Sequence, residues 1–171
     1  AKDANRDCKV RLTDQPWLGK ELGWTVVGKF NPQPIKLRQQ GIDNILNALF
    51  EVEMAPSARR AVTGDGICIG LNYKTNAFIH PKTKRNCDLI KHIVTEVRSH
   101  PELCNIPFTS VQINHNTISA PHTDNNLIGT PSIAIGLGDY AGGRLRIDGA
   151  KQPLHIRDRA LVFDGRKTHS S

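Results

Sequence analysis

The stretch that decides the fold is VQINHNTISAPHTDNNLIGTPSIAIGLGDYAGGRLRIDG, residues 111–149, followed by RALVFDGRKTHSS at 159–171. Its apolar residues come in short alternating or continuous runs, divided by Gly142-Gly143, Asp148-Gly149 and Asp164-Gly165. That is how a succession of short strands and tight turns is written. The spacing predicts strands over 108–114, 132–137, 143–147, 154–157 and 160–163.

Working outward, the N-terminal side has a different character. Ile42, Ile45, Leu46, Leu49 and Phe50 follow helical spacing within Lys36 to Glu53, with the secure part beginning near Ile42 because Gly41 weakens the first turn. Asp43 suits that helix's N-terminal end. A second helix is expected over 87–99, with Ile90, Ile93, Val94 and Val97 on one stripe and Pro101 beyond its end. Strands are expected over 23–30 and 67–73, with loops over 54–66 and 81–86. Residues 1–22 are polar and irregular, with Pro16-Trp17-Leu18 as the one anchor-like cluster. The expected class is α+β, helices first and a β-rich half after.

Within the β-rich half, Pro121-His122-Thr123-Asp124 follows a strand, and His169 lies 47 residues further on, after the strand over 160–163 and a turn. In an extended segment residues i and i+2 point the same way, so His122 and Asp124 can grip one ion together. A third ligand must come from a strand brought alongside by the fold. Two imidazoles and one carboxylate can occupy one face of an octahedral ion and leave the opposite face open, the arrangement of non-haem iron(II) oxygenases. A bare His-x-Asp is common by chance; the order of elements around it carries the weight.

That order is a strand, His-x-Asp, the apolar strand SIAIGLGDY, the Gly-Gly strand GGRLRID, a polar turn, then RALVFDG and a histidine. It resembles the iron(II)- and 2-oxoglutarate-dependent dioxygenases. The longer run 111–149 is similar to the TET/JBP branch, which oxidises methyl groups on nucleic-acid pyrimidines. The resemblance covers residues 108–171. It implies a double-stranded β-helix (jelly-roll, cupin-like) core over 108–171, supported by helices and strands in 1–107, as one oxygenase domain over 1–171. It also implies His122, Asp124 and His169 as iron ligands, 2-oxoglutarate as cosubstrate (or ascorbate, as in one relative of the branch), and Asn125 and Asn126 as substrate-contacting residues. Turn formation is the competing explanation for the two asparagines.

Gln112, Asn114 and Asn116 alternate with Val111, Ile113 and His115, so one strand face is polar. Asn114 and Asn116 are candidates for facing the reaction cavity and its cosubstrate, although an exposed strand face accounts for them equally well. Family members usually carry an Arg or Lys about ten residues past the last histidine to pair with the far carboxylate of 2-oxoglutarate. Here only two residues follow His169. Either the chain is a piece whose continuation holds the last core strand and that cation, the favoured expectation, or Arg144 or Arg146 supplies it from an earlier strand. A β fold without its last strand would expose an edge that proteins normally cover. A start without Met points the same way.

A net charge of +7 and a pI near 9.5 favour a polyanionic partner such as DNA or RNA. Arg59, Arg60, Lys82, Lys84 and Arg85 are candidates for phosphate contact, each with a solvated surface as the simpler explanation. Cys8, Cys68, Cys87 and Cys104 show no zinc spacing and read as reduced thiols of an intracellular protein, nuclear or cytoplasmic. No apolar run is long enough to span a membrane, and no signal peptide is visible. His80, His92, His100, His115 and His155 are not expected to be ligands. Two further readings remain open: a prolyl-hydroxylase-like enzyme acting on protein, and a catalytically silent β-helix module that binds a partner.

Overall fold

The computed structural model describes residues 33–73 and 77–171. The strand expected over 23–30, the Pro16-Trp17-Leu18 cluster and Cys8 lie outside the described residues. The elements run β1 (Ile35–Lys36), α1 (Gln39–Leu49), β2 (Ala55–Pro56), β3 (Val62–Tyr73), β4 (Ala77–Ile79), a 3-10 helix (Pro81–Asn86), α2 (Cys87–Arg98), β5 (Ser110–Ser119), β6 (Ser132–Gly136), β7 (Arg146–Ile147), β8 (Arg159–Phe163) and β9 (His169–Ser170). The class is α+β, with two α-helices among the described residues and strand ladders that are all antiparallel. No helix among them is long and apolar enough to cross a membrane.

One sheet is ordered β1-β8-β6. A second is ordered β2-β3-β4, with β5 also paired to β3, and β7-β9 form a two-stranded ribbon. The long β3–β5 ladder differs from expectation, because residues 62–66 are strand and not loop. Gly64 and Gly66 concealed it. Gly64 has φ +94° where the register slips between Thr63 and Asp65, opposite Asn116 at φ 49°. This is a bulge, where glycine and asparagine tolerate the left-handed backbone. At Gly66 a Cβ would sit 2.7 Å from the Ile113 carbonyl oxygen, so the strand there has room only for glycine.

The main core lies between α1, α2 and the sheets. Ile42 and Ile45 of α1, Leu89, Ile93 and Val97 of α2, and Ile67 and Ile69 of β3 are buried together with Leu103, Ile106 and Ala160. Of the stripe predicted for α1, Ile42 and Ile45 are buried and Leu46 and Leu49 half-buried, but Phe50 lies past the end of the helix and is 86% exposed. Helix α2 packs Ile90, Ile93 and Val97 of its predicted stripe into the core; α1 starts at Gln39, and Lys36 belongs to β1, paired with Arg159. A smaller cluster, Leu145, Ile147, Leu161 and Phe163, lies in the β-rich half.

A buried charge cluster ties the helices. Glu96 of α2 is 0% exposed; its Oε1 accepts from the Arg38 backbone N–H (2.8 Å) and lies 2.7 Å from His100 Nε2, and its Oε2 accepts from Arg38 Nε (2.9 Å). Burial pushes this carboxyl up, but the bonds from His100 and Arg38 outweigh it and hold the group below its ordinary range. Gly41 makes the approach possible, since a Cβ there would lie 1.9 Å from Glu96 Oε2.

Candidate metal centre

His122 and His169 face each other across an antiparallel bridge. The His122 N–H donates to the His169 carbonyl (3.0 Å) and the His169 N–H to the His122 carbonyl (2.9 Å). Directly opposed residues put their side chains on the same side of a ladder. Accordingly, the ring centroids are 4.4 Å apart. The bridge continues into a second reciprocal pair, Ser119 with Ser171, both bonds 3.1 Å. On its other edge His169 pairs with Ile147 of β7. The 47-residue separation is thus spanned by β6, β7 and β8, which return the chain to the edge where the His-x-Asp segment lies.

Asp124 hangs from the same junction, its N–H donating to the Gly165 carbonyl at 2.7 Å. Its Oδ1 is 4.0 Å from His122 Nε2 and its Oδ2 is 3.8 Å from His169 Nε2. One donor atom from each of the three residues lies within 4.8 Å of the others, so the group can hold a metal ion. Neighbouring ligands of an octahedral ion with bonds of about 2.1 Å stand about 3.0 Å apart. The closure needed is about 1 Å at the two Asp124 contacts and up to about 2 Å across the whole group.

The imidazoles are set up to ligate. His122 Nδ1 is 2.8 Å from the Ala120 carbonyl and 3.2 Å from Ser119 Oγ, and His169 Nδ1 is 2.9 Å from the Lys167 carbonyl. A carbonyl oxygen only accepts, so each Nδ1 carries a hydrogen, which leaves Nε2 as the ring nitrogen turned to a metal ion. Histidines of metal sites are oriented by this kind of outer contact. Phe163 packs edge-on against His169, centroids 5.0 Å apart. His169 is buried at 7% side-chain exposure, while His122 (22%) and Asp124 (36%) open the group to solvent. An enclosed structural site would not have such an opening.

Other predicted residues fall at varying distances. Asn126 Nδ2 donates to Ser132 Oγ (2.8 Å), and Ser132 Oγ donates to Asp124 Oδ2 (3.1 Å), while Asn125 is exposed. Asn114 Oδ1 accepts from Arg59 (2.6 Å) and from Gln112 (3.2 Å). It precedes Ser119 by five residues, about 17 Å of strand. Asn116 is nearer and forms part of the β3–β5 bulge. Arg144 lines a separate cleft with Asp139, Tyr140, Ala141, Gly142, His155 and Arg157, in which none of the three metal candidates takes part. Arg146 is exposed and pairs with Ser170, on the ladder face opposite Ile147 and His169. Of the other histidines, His100 is buried against Glu96 and His80 accepts from the Lys82 N–H.

Sequence reasoning missed Ser132, Ser119 and Gly165. Ser132 is a hydroxyl at the head of an otherwise apolar strand, which was a legible signal. Gly165 read as turn punctuation, yet a Cβ there would meet Ser132 Oγ at 2.4 Å and Asp124 Oδ2 at 2.6 Å. Comparison with protein-family models, curated proteins and solved structures finds no match to this chain.

Proposed function

We propose that this chain is an iron(II)-dependent dioxygenase domain built on a double-stranded β-helix. In this reading it hydroxylates a C–H bond, most specifically a pyrimidine methyl group in nucleic acid, with 2-oxoglutarate as cosubstrate. The observation that carries the reading is the His122–His169 cross-strand pair, with Nδ1–carbonyl bonds leaving each Nε2 to a metal ion and Asp124 within 4.0 Å. Two imidazoles and a carboxylate, open to solvent on one side, suit iron(II), which reacts with dioxygen and couples 2-oxoglutarate decarboxylation to hydroxylation. Bound there, iron would be held by His122, Asp124 and His169.

The chain's own residues set the conditions for that chemistry. The β bridge keeps the two rings at a fixed separation, which lowers the reorganisation needed on binding. Phe163 and the apolar cluster beneath His169 exclude water from the inner side. The net charge of +7 supports a polyanionic substrate, and a base must leave its stack to reach any such site, at a few kcal/mol.

The test is anaerobic iron(II) titration of the purified chain, followed by succinate release from 2-oxoglutarate in air with a methylpyrimidine oligonucleotide or a proline-containing peptide. The reading expects stoichiometric iron and stimulation by the oligonucleotide. Stimulation by peptide alone would transfer the assignment to a protein hydroxylase, and absence of iron binding would leave a silent module.

A further inference from the structure

The cleft that holds Arg144 lies at the far end of β6 from the metal candidates. That strand runs from Ser132, which is bonded to Asp124, to Gly136, which is bridged to Arg157. Four residues of strand cover about 13 Å. The cleft is about 520 Å³ and is lined by the turn 139–142 together with Arg144, His155 and Arg157.

Backbone pairing explains why charge gathers there. Leu145 and Leu154 exchange both backbone bonds, 2.9 and 2.8 Å, and Leu145 is buried. One position further along this antiparallel pair, Arg144 and His155 stand opposite each other and turn to the other face. Both are exposed. Arg157, two residues after His155, donates from Nη1 to Asp139 Oδ1 and to the Tyr140 carbonyl, each at 3.2 Å. Tyr140 is wedged between glycines: a Cβ at Gly136 would overlap its hydroxyl, and one at Gly143, φ +60°, would lie 2.7 Å from its ring. Burial, against the opposing pull of Arg157, raises the Tyr140 phenol above its ordinary range, so it stays a donor at neutral pH.

These donors have little to receive them. Among the described residues Arg144 makes no hydrogen bond or ion pair, the Tyr140 hydroxyl has no hydrogen-bond partner, and Arg157 engages Nη1 alone. Asp139 is the one acid in the lining, and its carboxylate is fully exposed. Water screens it, so it offsets little of the two guanidinium charges.

We infer that this cleft is a phosphate-binding site, with Arg144 and Arg157 as its main ligands and His155 and the Tyr140 hydroxyl as further donors. Charge and shape select the class. A tetrahedral phosphoryl group offers oxygens in several directions, which guanidinium forks on two separate segments grip together; a planar carboxylate is matched by one fork. The volume exceeds that of a bare phosphate and suits a nucleotide-sized carrier. A nucleotide's terminal phosphate and a backbone phosphodiester present the same chemistry, and the experiment separates them. None of the three metal candidates lines the cleft, so the site stands independently of the metal reading.

The test is calorimetric titration of the full chain at low ionic strength with inorganic phosphate, adenosine monophosphate and a single-stranded oligonucleotide bearing a 5′-hydroxyl. Arg144→Ala removes an exposed side chain without a partner, so it should leave the urea midpoint unchanged while weakening phosphate binding about tenfold. Arg144→Lys keeps the charge but loses the fork and should weaken binding by a smaller factor. Lys84→Ala, an equal loss of charge at an exposed position outside the cleft, should leave binding unchanged. Arg144-dependent binding of the monophosphate assigns a free phosphate monoester. Dependence confined to the oligonucleotide, with the slope of log affinity against log salt falling by about one, assigns a backbone phosphate. Wild-type affinity of Arg144→Ala for all three probes, or binding of none of them by wild type, would overturn the site. Equal losses in Lys84→Ala would overturn it in favour of diffuse charge, and succinate bound as tightly as the monophosphate would overturn the phosphate class.

Discussion

Replacing Gly41 with alanine should destabilise the protein, against the ordinary expectation for a helix. Alanine is the better helix former by up to about 1 kcal/mol, somewhat less in a first turn. Here the new methyl would start 1.9 Å from Glu96 Oε2. To reach an ordinary contact near 3.5 Å the carboxylate must retreat by about 1.5 Å, which breaks its bonds from Arg38 Nε (2.9 Å) and Nη2 (2.8 Å) and strains those to Oε1. Each hydrogen bond to a charged group contributes about 1.5–3 kcal/mol. The Arg38 side chain is 53% exposed, and solvent screening cuts its share to about half or less. The net loss is then about 1–3 kcal/mol. The assay is urea denaturation of a double-mutant cycle with Glu96→Ala. In the Glu96→Ala background the obstacle is gone, so Gly41→Ala should change sign and stabilise by about 0.5–1 kcal/mol. The same sign in both backgrounds would refute the reasoning.

Other outcomes follow from the same contacts. Because the folded-state pKa of Glu96 lies below its unfolded value, its contribution is fully present above the unfolded value and is lost as pH falls through the folded one. Urea midpoints of wild type should therefore fall below about pH 5 more steeply than those of Glu96→Gln, and parallel profiles would contradict this assignment. Gly165→Ala should lower iron(II) affinity, read by anaerobic titration, since it displaces both Ser132 Oγ and Asp124 Oδ2. His169→Ala should abolish stoichiometric metal binding while His155→Ala leaves it unchanged. Arg166, exposed next to Gly165, should contribute to oligonucleotide binding; Arg166→Ala should weaken it and reduce the slope of log affinity against log salt by about one, measured by fluorescence anisotropy.

Local pattern carried a good deal of this architecture. The amphipathic stripes of α1 and α2 were readable because burial repeats at the helix period over several residues, and β6 and β8 because each is a short apolar run bounded by turn signals. The juxtaposition of His122 and Asp124 was readable too, because residues i and i+2 of an extended segment point the same way. Elements with a different origin were not readable. Residues 62–66 of β3 were hidden by Gly64 and Gly66, which serve a bulge and a close approach to a partner strand. The two-residue strands β1, β2 and β9 and the three-residue β4 are too short to show a period.

By itself, then, the chain's order of residues determined the α+β class, the two helices and a His-x-Asp segment with a later histidine. Only the tertiary structure decided that His169 stands opposite His122, that Ser132 bonds to Asp124, and that Gly41 and Gly165 are clearances for carboxylates. The reason is one of range. Periodicity records what a residue does within its own helix or strand, whereas register and clearance depend on atoms tens of residues away in the sequence, and no local pattern encodes them.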